Sequence, residues 1–131
     1  MRYILSTIAL TALASSCVTA LGINCRGSFY CKTFASEYEN VADQLSKNIQ
    51  NIPDDRWYEN GEHIECIKGY KGFSICAFLQ GTNGLSGKEI KTLAKRIVEH
   101  GCKGCGSVPV YFDQQENDVN LHGQLTFNFF L

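Results

Sequence analysis

Cys102-Lys103-Gly104-Cys105 is a Cys-x-x-Cys. Beside a βαβ unit in a cytosolic chain this spacing serves thiol–disulfide exchange, and with a second such pair it holds zinc. Neither use fits here. Cys25, Cys31, Cys66 and Cys76 also need partners, so structural bridging is the reading the cysteine count supports. The scattered histidines do not complete a four-ligand zinc cluster. Glu62, His63 and Glu65, with Arg56, have the residue types of a small secreted ribonuclease, which needs two proton-transfer groups facing across a phosphate and a cation to hold it. On a strand, positions 62 and 63 point to opposite faces, so this group does not converge by itself. His100 and His122 are equally isolated. Gly81 to Gly87 is glycine-rich and precedes a helix, but it lacks the Lys-Ser/Thr ending of a phosphate loop. No nucleophile elbow, His-Glu-x-x-His or calcium loop is present. The chain therefore reads as a non-enzyme with no catalytic residues, no metal ligands and no cofactor.

The cations offer a different chemistry. Lys68, Tyr70 and Lys71 fall at the tip of a hairpin formed by two strand-like runs, 63–68 and 73–80, around Gly69-Tyr70-Lys71-Gly72. If the turn centres on Lys71, Cys66 and Cys76 face each other across the strands at bridging distance. A Lys-Tyr-Lys tip held by that bridge is rigid and cationic and could cap an acidic target, although solvated turn lysines are the plainer reading. Lys88, Lys91 and Lys95 lie on the polar side of a helix and read as a solvated face. The other four cysteines either join the N-terminal loop to the segment after the second helix or pair within each.

Two amphipathic helices must position these features. Phe34, Tyr38, Val41, Leu45 and Ile49 recur at helical spacing, with Ser36 and Glu39 as a capping box and Asn51-Ile52-Pro53 as the stop. Ile90, Leu93, Ala94, Ile97 and Val98 form a second stripe, opened by Ser86 and Glu89 and closed at His100-Gly101. Further strands are predicted over 108–112 and 124–130, where Leu125, Phe127 and Phe129 alternate with Thr126 and Asn128. The pattern predicts an α+β sandwich, an antiparallel sheet covered by helices on one face. The competing reading is a cystine-rich fold with little regular structure, which the two capped helices oppose.

The first twenty residues predict export. Arg2, an apolar run over 3–14 and Val18-Thr19-Ala20 have the form of a removable signal, too short to span a bilayer. The competing reading is a buried N-terminal helix. Removing 20 of 131 residues leaves about 111, one domain over 21–131, with no stable membrane insertion expected. Cys17 leaves with the signal, so seven cysteines become six, enough for three disulfides in any of about fifteen pairings. Arg2 leaves too, so the net charge moves from −1 to about −2, which argues against nucleic acid as a partner.

The blocks Leu21 to Ser28, Cys25-x5-Cys31, Gly61-Glu62, Ser74 to Asn83, Leu85-Ser86-Gly87, His100 to Ser107 and Gly123 to Thr126 occur in this order across most of the mature chain. In this it resembles the fungal killer-toxin family typified by the virally encoded killer protein four of a smut fungus. The resemblance implies two antiparallel helices packed on one face of an antiparallel sheet. It also implies disulfides Cys25–Cys102, Cys31–Cys105 and Cys66–Cys76. It implies a secreted, extracellular, monomeric protein that inhibits competing fungi or host cells by binding a cell-surface protein such as a calcium channel. A non-toxic secreted effector on the same scaffold is the alternative, and a ribonuclease a further one. The chain departs from the type member in its slight acidity and in Cys76 where the type has serine. It also ends Phe129-Phe130-Leu131 where the type ends in cysteine. Ile64 stands at the position of the type's functional lysine, two residues before Cys66. The scaffold carries over, and the lysine-dependent blocking site does not.

Overall fold

The computed structural model describes residues 22–32, 40–69 and 72–130. The predicted signal over 1–20, the stripe positions Phe34 and Tyr38, the Ser36/Glu39 box, and Tyr70 and Lys71 lie outside them. In chain order the elements are α1 (Val41–Ile49), β1 (Trp57–Tyr58), β2 (Glu65–Lys68), β3 (Ser74–Gln80), β4 (Leu85–Ser86), α2 (Gly87–Glu99), β5 (Gly106–Pro109), a 3-10 turn (Phe112–Gln114), α3 (Val119–His122) and β6 (Gln124–Phe130). The main sheet runs β2-β3-β6-β5 with every neighbour antiparallel. β1 and β4 form a separate two-stranded ribbon.

The alternation along the central strands decides which face the helices cover. Ile75, Ala77 and Leu79 on β3 pair with Phe129, Phe127 and Leu125 on β6, and Val108 on β5 pairs with Leu125. Apart from half-buried Phe129, these side chains are fully buried or nearly so. Against them lie Val41, Ala42, Leu45 and Ile49 of α1 and Ile90, Leu93, Ala94 and Ile97 of α2. Each large apolar side chain removed from water this way contributes on the order of 2 kcal/mol. α1 packs on β2 and β3 and α2 on β4, β5 and β6, so both helices share one face of the sheet. The fold is α+β.

Both helix starts borrow carbonyls from distant loops. Ser86 and Glu89 form the capping box. Gly87 and Lys88 donate their backbone N–H groups to Arg56 O (2.8 Å) and Asp54 O (3.0 Å), which satisfies donors a helix N-terminus leaves free. A Cβ on Gly87 would sit 2.0 Å from the Pro53 carbonyl oxygen, so this junction requires glycine. At α1, Ala42 N–H donates to Lys103 O (2.9 Å), so the Cys-x-x-Cys loop caps that helix.

Three boundaries differ from the sequence expectation. The described part of the first helix starts at Val41, with Asn40 as its left-handed N-cap (φ 58°). β2 begins at Glu65 rather than at 63, because Gly61 N–H donates to Leu79 O and turns the chain there. The strand expected over 108–112 is instead Gly106–Pro109, after which Val110 N–H donates to Gly123 O and the backbone winds into the 3-10 turn. It starts early because Ser107 exchanges backbone hydrogen bonds with Asn24 (3.1 and 2.9 Å), a pairing across the chain that local composition does not signal.

Candidate target-binding surface

Cys25 bonds Cys102, Cys31 bonds Cys105, and Cys66 bonds Cys76. The first two clasp the N-terminal arm to the loop that caps α1, and Asn24 lays that arm along the outer edge of β5. A Cβ on Gly27 would meet Cys105 Cβ at 2.7 Å and Cys31 Sγ at 2.9 Å, so the arm crosses the clasp in close contact. Ser28 N–H then donates to Asn128 Oδ1 (2.9 Å), which docks the arm on β6. These ties hold the aromatic pair that follows.

Phe29 is 86% exposed and Tyr30 55% exposed. Tyr30 stacks on Phe129, with ring centroids 5.1 Å apart and planes at 28°, and Phe29 meets Tyr30 edge-on at 5.7 Å. Phe73 also packs against Phe129, at 5.2 Å. Ser28, Tyr30, Phe73, Phe129 and Phe130 thus line a shallow apolar groove of about 580 Å³ at one end of the sheet. The β2–β3 hairpin borders it: Lys68 is paired with Ser74 and exposed, and Gly69 N–H donates to Phe73 O (2.7 Å). Apolar aromatic surface left in water is the composition of a binding hot spot rather than of ordinary protein surface.

Of the predicted tip residues, Lys68 is the exposed last residue of β2, and Tyr70 and Lys71 lie outside the described residues. The groove aromatics themselves were missed. Phe29-Tyr30 in a short polar arm between two cysteines was an available signal. Phe129 was not, because its alternation with Phe127 points it at the core while the sheet end leaves it half covered.

The residues of the ribonuclease reading go to separate tasks. Arg56 pairs with Glu62 and lies over the Tyr58 ring at 4.3 Å. His63 packs on Phe130 at 4.5 Å, His100 caps α2, and His122 meets Tyr111 edge-on at 4.7 Å. On the sheet face away from the helices, a second cavity of about 350 Å³ is lined by Asn24, Gln80, Ser107, Gln124, Thr126 and Asn128. Its polar groups largely satisfy one another: Thr126 Oγ1 and Gln124 Nε2 both donate to Gln80 Oε1, at 2.6 and 3.1 Å. Asn24 Nδ2 donates to Ser107 Oγ at 3.0 Å.

A family model described as Kp4 matches residues 7–130. The chain is 39% identical over 114 residues to a protein named KP4 killer toxin from Ustilago maydis P4 virus, covering 86% of this chain and 82% of that protein.

Proposed function

Because the chain belongs to the Kp4 killer-toxin family, we propose that it is a secreted protein that inhibits growth of competing fungi or host cells by binding a surface target, without catalysis. The observation that carries this is the sheet end, where exposed Phe29 and Tyr30 are tied down by two disulfides. Preordered aromatics lose little conformational freedom on binding, which suits them to a protein target. The target implied by the resemblance is a calcium channel, with the Lys68–Lys71 hairpin and the aromatic groove as the contacting surface.

Oxidised protein added to susceptible fungal cultures is expected to slow growth, with relief by added calcium. Inhibition that calcium leaves unchanged would rule out the channel mechanism, and no inhibition at all would rule out the killer activity. Lys68→Ala combined with Lys71→Ala, and separately Tyr30→Ala, should each remove activity while the circular dichroism spectrum stays unchanged.

One observation favours a second reading. Ile64, at the position of the type's functional lysine, is only 7% exposed and belongs to the core. A protein on this scaffold with its surface charge rearranged could serve as a non-toxic effector. Recovery of a host or fungal wall component in a pull-down, with no growth effect, would select that reading.

A further inference from the structure

Cys66 and Cys76 are directly opposed in the β2–β3 ladder, on the sheet face away from the helices. His63 stands beside them, its Nδ1 3.8 Å from Cys66 Sγ, and the three ligand atoms lie within 4.8 Å of one another. A tetrahedral zinc-type ion with metal–sulfur bonds of about 2.3 Å and metal–nitrogen bonds of about 2.0 Å needs its donors roughly 3.5–3.8 Å apart. Joined as a disulfide, the sulfurs are too close together and carry no thiolate. Separated, they need only a side-chain rotation to reach that spacing.

We propose that reduction of Cys66–Cys76 opens a soft-metal site, in which His63 Nδ1 and the two thiolates bind a zinc-class divalent ion and leave a fourth position free. The reductant is a dithiol. One of its thiolates attacks a sulfur of the bridge, its second thiol displaces the mixed disulfide, and it leaves as its own disulfide with two electrons passed to the protein. Cys66 and Cys76 emerge as thiols and release their protons when the metal binds.

Three features support a redox-gated site rather than local unfolding. Cleavage leaves the two cysteines facing, because the ladder from Glu65 to Lys68 is hydrogen-bonded to β3 and Ile75 is anchored in the core. The bridge is reachable from the Cys66 side, which is half-buried while Cys76 is buried. Cys25–Cys102 is likewise open at one end, at exposed Cys25, and Cys31–Cys105 is buried at both ends. His63 is held in place by its ring contact with Phe130, and Ser74 Oγ, 3.8 Å from Cys76 Sγ, offers an outer hydrogen bond to the thiolate. The inference does not depend on growth inhibition.

The test titrates cobalt(II), a spectroscopic stand-in for zinc, into the full-length secreted protein before and after mild dithiol reduction and removal of the reductant. Alkylation and peptide mapping should find thiols at Cys66 and Cys76 alone, with the circular dichroism spectrum retained. That species is expected to bind one cobalt ion, with sulfur-to-metal charge-transfer and d–d bands that the oxidised protein lacks. His63→Ala should weaken the binding at least about tenfold, the scale on which changes to a ligand shell act. Cys66→Ser combined with Cys76→Ser should abolish it. Absence of the bands, an unchanged affinity in His63→Ala, or reduction that cannot be confined to this bridge would each overturn the proposal.

Discussion

The two arm clasps should be strongly non-additive. Cys25–Cys102 and Cys31–Cys105 span 77 and 74 residues, so either alone closes a long loop in the unfolded chain, a constraint of about 4.5 kcal/mol on the chain-entropy relation. The second clasp closes far less. With the first in place, the route from Cys31 to Cys105 runs six positions back to Cys25 and three on from Cys102, a loop of about nine residues and ~2.6 kcal/mol. Replacing either pair by serine should therefore cost about 2.6 kcal/mol, and replacing both about 7 kcal/mol, an excess near 2 kcal/mol over additivity. Urea unfolding at equilibrium on the parent, the two paired variants and the four-serine variant measures all four corners of this cycle. A four-serine protein already unfolded without denaturant, while both paired variants unfold cooperatively, agrees with it. Additive costs, or a single-clasp loss near 4.5 kcal/mol, would refute the shared-loop reasoning.

Other expectations follow from single contacts. Ser86→Ala removes the hydroxyl that caps Glu89 N–H and should lower unfolding free energy by about 1 kcal/mol in the same assay. Gly87→Ala should destabilise despite alanine's better helix propensity, because its Cβ meets the Pro53 carbonyl at 2.0 Å; a gain in midpoint would refute this. The hydrogen bond from Lys91, its charge, and the more distant charge of Lys88 hold the Asp54 carboxyl below its ordinary value of 3.8. A carboxyl lowered in the folded state stabilises fully above its unfolded value and loses that contribution as pH falls through the lower folded one. Asp54→Asn should thus reduce stability slightly at neutral pH and flatten its decline below about pH 4, as followed by thermal melts.

The α2 boundary was legible in the sequence because capping and amphipathicity are local: Ser86, Glu89 and the stripe from Ile90 to Ile97 lie within about three turns. The last strand matched its expected range, since Leu125 and Phe127 alternate with Thr126 at a period only a sheet uses. β5 was misplaced because Gly106-Ser107 looks like a turn until the arm arrives at Ser107 to pair with it. The aromatic groove was hidden for a related reason. Its walls come from the arm, the β2–β3 hairpin and the last strand, roughly a hundred residues apart in the chain.

Residue chemistry and short-range spacing were enough to establish the fold class, a hairpin able to bridge Cys66 and Cys76, and the absence of any familiar catalytic motif. Each depends on groups within about ten residues, where backbone geometry leaves few alternatives. Folding alone chose which aromatics stay in water, and that His63 stands against the Cys66–Cys76 bridge. Those outcomes turn on how the layers pack, because one strand end or one turn sets whether a side chain joins the core or is left outside it.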